Sequence, residues 1–180
     1  MAKIPPIRTP TRTTTKTTQT TRYHGRKVRI TTTTSSAGTK VTVTDAPVEE
    51  WILQAAAVAA LKSMPEYAGD AERVAENDNA GRPSFTLAAD MNAARRSPKE
   101  NLVATATGIA AGDPDLRVYL PNGVLKMIEY KNAEGVLTKS QRIRHPLLSR
   151  LGHPVVTLKV ASKEEAAKQT VELVEGWLAA

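Results

Sequence analysis

The rhythm of apolar and polar positions changes near residue 46. Before it threonine dominates, and two short stretches alternate: Lys27-Val28-Arg29-Ile30-Thr31 and Lys40-Val41-Thr42-Val43-Thr44. With Ser35 to Gly38 as a turn between them, that alternation is compatible with a weak hairpin. The scarcity of large apolar residues weighs against it, since little burial is available to offset the entropy of ordering the segment. The expectation is a disordered, low-complexity tail over 1–45 and a folded domain over 46–180.

Beyond Pro47 the pattern becomes that of packed elements. Asp45 as N-cap, Pro47 in the first turn, and Glu49 and Glu50 at the positive end of the dipole predict a helix to about Met64, stopped by Pro65. Residues 66–83, rich in Gly, Asp, Asn and Glu, read as a long surface loop with at most one helical turn. A short strand follows over Ser84 to Ala88, and Ser97-Pro98 opens a helix to about Thr107. Leu116 to Leu120 and Val124 to Lys131 read as strands, and Thr138 caps a helix reaching Leu151, closed by Gly152. Val155 to Val160 reads as a buried strand. Ser162 and Glu165 form a capping box for a last helix reaching Trp177. A hairpin set among helices in this order predicts an α/β domain with a mixed central sheet flanked by helices.

Composition narrows the chemistry. At 180 residues one domain is the default expectation. There are no cysteines, so disulfides and thiolate metal sites are excluded and any metal must sit on oxygen or imidazole ligands. No apolar run approaches the roughly 18 residues of a membrane span, and no apolar segment follows Lys3 and Arg8 to make a secretory signal. A cytoplasmic protein is the simplest expectation. Nine of the 25 Lys and Arg residues but one of the 18 Asp and Glu residues lie within 1–45, so that segment carries +8 and the remainder −1. The asymmetry points to a polyanionic partner met by the N-terminal arm, with Arg26, Lys27 and Arg29 as candidate phosphate contacts; the alternative is a solvated leader.

The stretch with most chemical content is Gly112-Asp113-Pro114-Asp115-Leu116, followed by Ile128-Glu129-Tyr130-Lys131. Between them, Pro121-Asn122-Gly123 places Pro at the second position of a type I turn and Gly at the fourth. That suits a three-residue hairpin loop with Gly in a left-handed position. In this register Leu120 faces Val124 and Asp115 lies opposite Glu129. Cross-strand neighbours share a face, and Lys131, two residues beyond Glu129, points the same way. A two-residue Asn-Gly loop would shift the register by one and send Asp115 to the other face. Two adjacent carboxylates in a partly buried site repel, and a hard divalent cation resolves the conflict. With a lysine beside them, the set suits phosphodiester hydrolysis. Glu-x-Lys alone is common on exposed hairpins; the aligned Pro-Asp is what raises it above a surface pair.

These residues resemble the VRR-NUC (virus-type replication-repair nuclease) family of the PD-(D/E)xK superfamily. The resemblance extends through Gly135-Val136-Leu137-Thr138-Lys139-Ser140-Gln141 and Leu151-Gly152-His153-Pro154-Val155-Val156, and covers about residues 47–160. Glu50, four residues before Gln54, is similar to the family's first-helix motif. Asn92-Ala93-Ala94-Arg95-Arg96 resembles its Asn-Gly-Gly-Arg-Arg stretch, with alanines replacing glycines. The resemblance implies a restriction-endonuclease-like core. It implies Mg²⁺ or Mn²⁺ held by Glu50, Asp115, Glu129 and the main-chain carbonyl of Tyr130, Lys131 as the catalytic lysine, and Gln141 as a polar contact from the next helix. It further implies a homodimer acting on branched or junction DNA, and a phage or bacterial setting. Asp113 departs from the family pattern, where a small apolar residue is usual; it is either a further ligand or an exposed side chain.

Several other residues carry two readings. Arg95 and Arg96, just before the helix start at Ser97, are candidate phosphate contacts. His145, one turn beyond Gln141, either reaches the site or is a partly buried helix residue, the latter being favoured. Arg142 and Arg144 read as solvating their helix, His24 as a solvated tail residue and His153 as a loop residue. The expected activity is a metal-dependent DNA endonuclease using direct water attack. Its rivals are a non-catalytic DNA-binding or packaging protein on the same scaffold, and a metal phosphohydrolase of small nucleotides.

Overall fold

The structure is a computed structural model that describes residues 14–89 and 97–180. The chain divides into two compact units, 1–46 and 47–180.

Within the first unit, β1 (Thr15–Tyr23), β2 (Arg26–Ser35) and β3 (Gly38–Asp45) form an antiparallel sheet in that order. The expectation of a disordered tail is therefore corrected for these residues. The two alternating stretches do pair, Arg29 with Thr44 and Thr31 with Thr42, but a third strand unread in the sequence pairs with β2 from Arg26 to Thr34. Threonine explains the discrepancy. Its β-branch restricts χ1 and suits a pleated surface, so less burial is needed than the count of large apolar residues suggests. Threonine also meets threonine across the sheet, as in Thr18, Thr31 and Thr42. His24 and Gly25 close the first hairpin, both at positive φ (46° and 78°), as two-residue hairpin turns require.

The second unit is a mixed α/β domain. Its sheet runs β4 (Thr86–Ala89), β5 (Leu116–Tyr119), β6 (Leu125–Asn132), β7 (Val155–Val160), with the first two pairings antiparallel and β6–β7 parallel. The helices are α1 (Glu50–Lys62), α2 (Ala71–Asn79), α3 (Pro98–Ala106), α4 (Lys139–Arg150) and α5 (Lys163–Leu178). Helix α1 presents Leu53, Ala57 and Leu61, spaced by four, as one fully buried stripe. Ala57 and Leu61, with Val174 of α5, pack on Leu116, Val118, Ile128 and Tyr130, which line one sheet face, while Leu53 packs with Val160 and Ala166 in a second cluster. Among the described residues no helix is long and apolar enough to cross a membrane.

Local differences from expectation have local causes. Asp45 does not cap α1, because it ends β3 opposite Val28; the cap is Glu49, with no side-chain hydrogen bond. The expected loop at 66–83 contains the nine-residue α2, capped by Asp70, whose carboxylate accepts the Arg73 N–H at 2.9 Å. Its polar residues, which signalled a loop, act instead as a cap, an Arg73–Glu76 ion pair and a buried Asn77. The box at Ser162 is half formed: Ser162 accepts the Glu165 N–H, but the Glu165 carboxylate takes the Ala161 N–H.

The β5–β6 register is the one expected. Leu116 pairs with Ile128 and Arg117 with Met127, and the Leu120 N–H donates to Val124 at 2.9 Å. The turn is not type I, however. Asn122 (φ 60°) and Gly123 (φ 73°) are both left-handed, and the Val124 N–H donates to the Pro121 carbonyl at 3.3 Å. Asn-Gly takes the turn it prefers. Pro121, lacking an N–H, cannot extend the ladder, which keeps the longer-loop register.

Candidate active site

Alternation along β5 and β6 separates a core face from a chemical one. Leu116, Val118, Ile128 and Tyr130 point to the α1–α5 core; Glu129 and Lys131 point to the other face and are nonetheless buried. Asp115 precedes β5 by one residue, and the register continues to place it opposite Glu129. Its Oδ2 accepts the Tyr130 N–H at 2.9 Å, and its carbonyl accepts the Gln54 amide at 2.8 Å. The strand start is thereby tied to both β6 and α1.

Lys131 is the centre of charge. Its Nζ lies 2.6 Å from Glu129 Oε1 and 3.1 Å from Glu50 Oε2, so α1 and β6, 81 residues apart in sequence, meet on one ammonium. Burial by itself would lower the Lys131 pKa. The hydrogen bond to Glu129, its charge, and Glu50 outweigh that and hold the lysine above its usual value, firmly charged. Burial raises both carboxyls opposite: Asp115 moves up despite the Tyr130 N–H, and Glu129 is pushed to about 7, with Asp115 adding to the rise against Lys131. One lysine does not fully compensate this acidic group.

Helix α4 supplies the next layer. Gln141 donates from Nε2 to Glu129 Oε1 at 2.5 Å, while its Oε1 accepts the Thr138 N–H at 2.9 Å. The capping box thus orients the amide so that its donor end faces the carboxylate. His145 is buried on the same helix, its Nε2 3.7 Å from Glu129 Oε2, and neither atom has a hydrogen-bond partner. Burial and the nearby Lys131 charge lower the His145 pKa, keeping the ring neutral. The favoured reading of His145 as a partly buried helix residue therefore understates its proximity to the site. Asp113 is neither an exposed residue nor a neighbour of the other carboxylates in its pairing. It bridges Arg117 (2.7 Å) and Arg144 (2.6 Å), joining β5 to α4. Arg144 is thus held in an ion pair, and Arg142 donates to the Leu137 carbonyl at 2.7 Å.

A cavity of about 440 Å³ opens over these groups, with Asn101 and Thr105 of α3 on its far wall. Two glycines shape it, and neither was assigned a role from sequence. A Cβ on Gly112 (φ 86°) would lie 2.6–2.7 Å from the Ser140 and Gln141 backbone at the start of α4. One on Gly135 would lie 2.5 Å from Glu50 Oε1 and 3.2 Å from Lys131 Cδ. The only sequence signal was that both glycines stand within the stretches quoted above.

The donor set is hard oxygen, which suits Mg²⁺ or Mn²⁺ rather than a softer ion. Glu129 Oε2, buried without a partner, is an atom a cation would satisfy. Against this, among the described residues no group of three or more His, Cys, Asp or Glu side chains is placed to hold a metal by itself. The carboxylates converge on Lys131 instead. Tyr130 could contribute only main chain, since its ring lies in the core with its hydroxyl 3.0 Å from Thr170. Arg95 and Arg96 lie outside the described residues. Arg26, Lys27 and Arg29 lie in the first unit, on β2. No protein-family model, curated protein or solved structure matches the chain.

Proposed function

We propose that this chain is a PD-(D/E)xK-type nuclease that hydrolyses DNA phosphodiester bonds with Mg²⁺ or Mn²⁺. One observation carries the reading: Asp115, Glu129 and Lys131 occupy one face of the β5–β6 hairpin, in a register that buries an under-compensated carboxylate pair beside a cavity. Asp115, Glu129 and Glu50, with the Tyr130 carbonyl, would hold the ion. Bound there, a divalent cation supplies positive charge to the scissile phosphate and makes water a better nucleophile. The chain's own groups do the positioning. Gln141 fixes Glu129, the Tyr130 N–H fixes Asp115, and Lys131 presents a charge at the cavity floor. The family resemblance extends the proposal to a homodimer acting on branched DNA in a bacterial or phage-infected cell.

The test is incubation with supercoiled, linear and four-way-junction DNA in Mg²⁺, Mn²⁺ or chelator. Cleavage is expected with metal and not with chelator, and is expected to be lost in Asp115→Asn. Tight binding without cleavage in either metal would favour the non-catalytic scaffold protein.

Gly135→Ala tests the Glu50 arm. The added methyl displaces chiefly the half-exposed Glu50 side chain, at 2.5 Å, and asks the Asn132 N and Lys131 Cδ, both at 3.2 Å, to give by a few tenths of an ångström, so the fold should hold. Mn²⁺ affinity, measured by calorimetry, is expected to fall about tenfold, the lower end for groups that support a metal ligand. Unchanged affinity would remove Glu50 from the metal site.

A further inference from the structure

The three-stranded sheet of the first unit has two unlike faces. Directly paired residues share a face, and successive residues along a strand alternate between the two. Lys16 pairs with Thr33 and Thr33 with Lys40; Arg22 pairs with Lys27; Thr20 pairs with Arg29 and Arg29 with Thr44. One face therefore carries Lys16, Arg22, Lys27, Arg29 and Lys40 and no acid. Its remaining side chains are hydroxyls: six threonines and Ser35. The opposite face also carries six threonines, with Gln19, but holds Val28, Ile30, Val41, Val43 and Tyr23, together with Arg26 and the lone acid Asp45, so charge and apolar content distinguish the two faces.

We infer that the cationic, threonine-covered face of β1–β3 is a docking surface for the phosphate backbone of duplex nucleic acid. Five cations gathered on one sheet face complement the charge of a polyanion. Lysine, arginine and threonine hydroxyls are the groups that contact phosphate oxygens, and such contacts position a protein without reading sequence. The face lacks the aromatic side chains on which single-stranded bases stack. It also lacks the apolar side chains that an interfacial membrane binder inserts, which argues against an anionic bilayer. Arg26, grouped by sequence with Lys27 and Arg29, is excluded from the surface by the register.

This inference gives the proposed nuclease its substrate contact, but binding measured in chelator is independent of cleavage. A protein that binds and never cuts would keep this surface and lose the nuclease reading. The experiment is fluorescence anisotropy of the full chain with a random-sequence DNA duplex across a salt series. The triple variant Lys16→Gln, Arg22→Gln, Lys40→Gln is compared with a charge-matched control, Lys62→Gln, Lys163→Gln, Lys168→Gln, in the second unit. The face variant is expected to bind at least about tenfold more weakly at physiological salt, and its log–log salt slope to fall by about 2 to 3. Equal loss in the control would overturn the inference, because net charge alone would then explain binding. So would tighter association with phosphatidylserine vesicles than with duplex. A variant-free arm uses lysine acetylation read by mass spectrometry: duplex should protect Lys16, Lys27 and Lys40 but not Lys62, Lys163 or Lys168. Uniform reactivity would overturn the assignment even if the variant failed to fold.

Discussion

Replacing Lys131 by alanine is expected to lower Mg²⁺-dependent DNA cleavage by about 10²–10³-fold, the range for removing one preorganised electrostatic group from a dry site. The ammonium is buried and held by two carboxylates, at 2.6 and 3.1 Å, so it occupies one position instead of sampling many. A charge fixed in that way acts on a phosphate without reorganising. Lys131→Met preserves most of the buried volume and removes only the charge, so it should lose cleavage to the same degree. If it cut normally while Lys131→Ala did not, the lysine would be acting through packing. Retention of more than about a tenth of the wild-type rate in both variants would sink the proposed role, since no term of this size would be missing.

Glu129→Gln has the other large effect, read as stability against pH in metal-free buffer. Burial first, then Asp115, pushes the Glu129 carboxyl to about 7, against 4.5 for the unperturbed side chain. Between those values the native state holds a proton that the unfolded chain has released. Native binding exceeds unfolded binding, so this group's contribution to stability falls as pH rises across the window. Glutamine removes the titration. The stability of the variant minus that of wild type should therefore climb from about pH 4.5 to 7 and then level off. At 1.36 kcal/mol per pKa unit the ceiling is on the order of 3 kcal/mol. The loss of one of the two carboxylate partners of Lys131 reduces it. Thermal melts of both proteins at several pH values measure the difference. Mg²⁺ or Mn²⁺ should then stabilise wild type at pH 7–8 and not the variant. A pH-independent difference would mean that Glu129 is ionised throughout.

Much of the second unit was legible because its signals are local. Ser97-Pro98 and Thr138 with Gln141 mark helix starts through bonds that span three residues, and both helices begin there. Pro121 determined the β5–β6 register for a similarly local reason, the absence of one N–H, although the turn itself is not the one expected. The threonine-rich segment looks disordered by its few large apolar residues, but β-branched stiffness, which such a count does not capture, favours the pleated sheet. Helix α2 was missed because Asp, Asn and Glu serve both loops and helix caps, and only the bonds they make distinguish the two.

By itself, then, the sequence determined the placement of Asp115, Glu129 and Lys131 on one hairpin face, since alternation and a proline-bearing turn are short-range geometry. The tertiary structure alone decided what surrounds them. Glu50 meets Lys131 across 81 residues, Asp113 engages Arg117 and Arg144, and Gly135 leaves the space that the Glu50 carboxylate fills. Such contacts depend on how α1 and α4 pack on the sheet. Burial then raises the Asp115 and Glu129 carboxyls above their usual range, and no spacing along the chain encodes that.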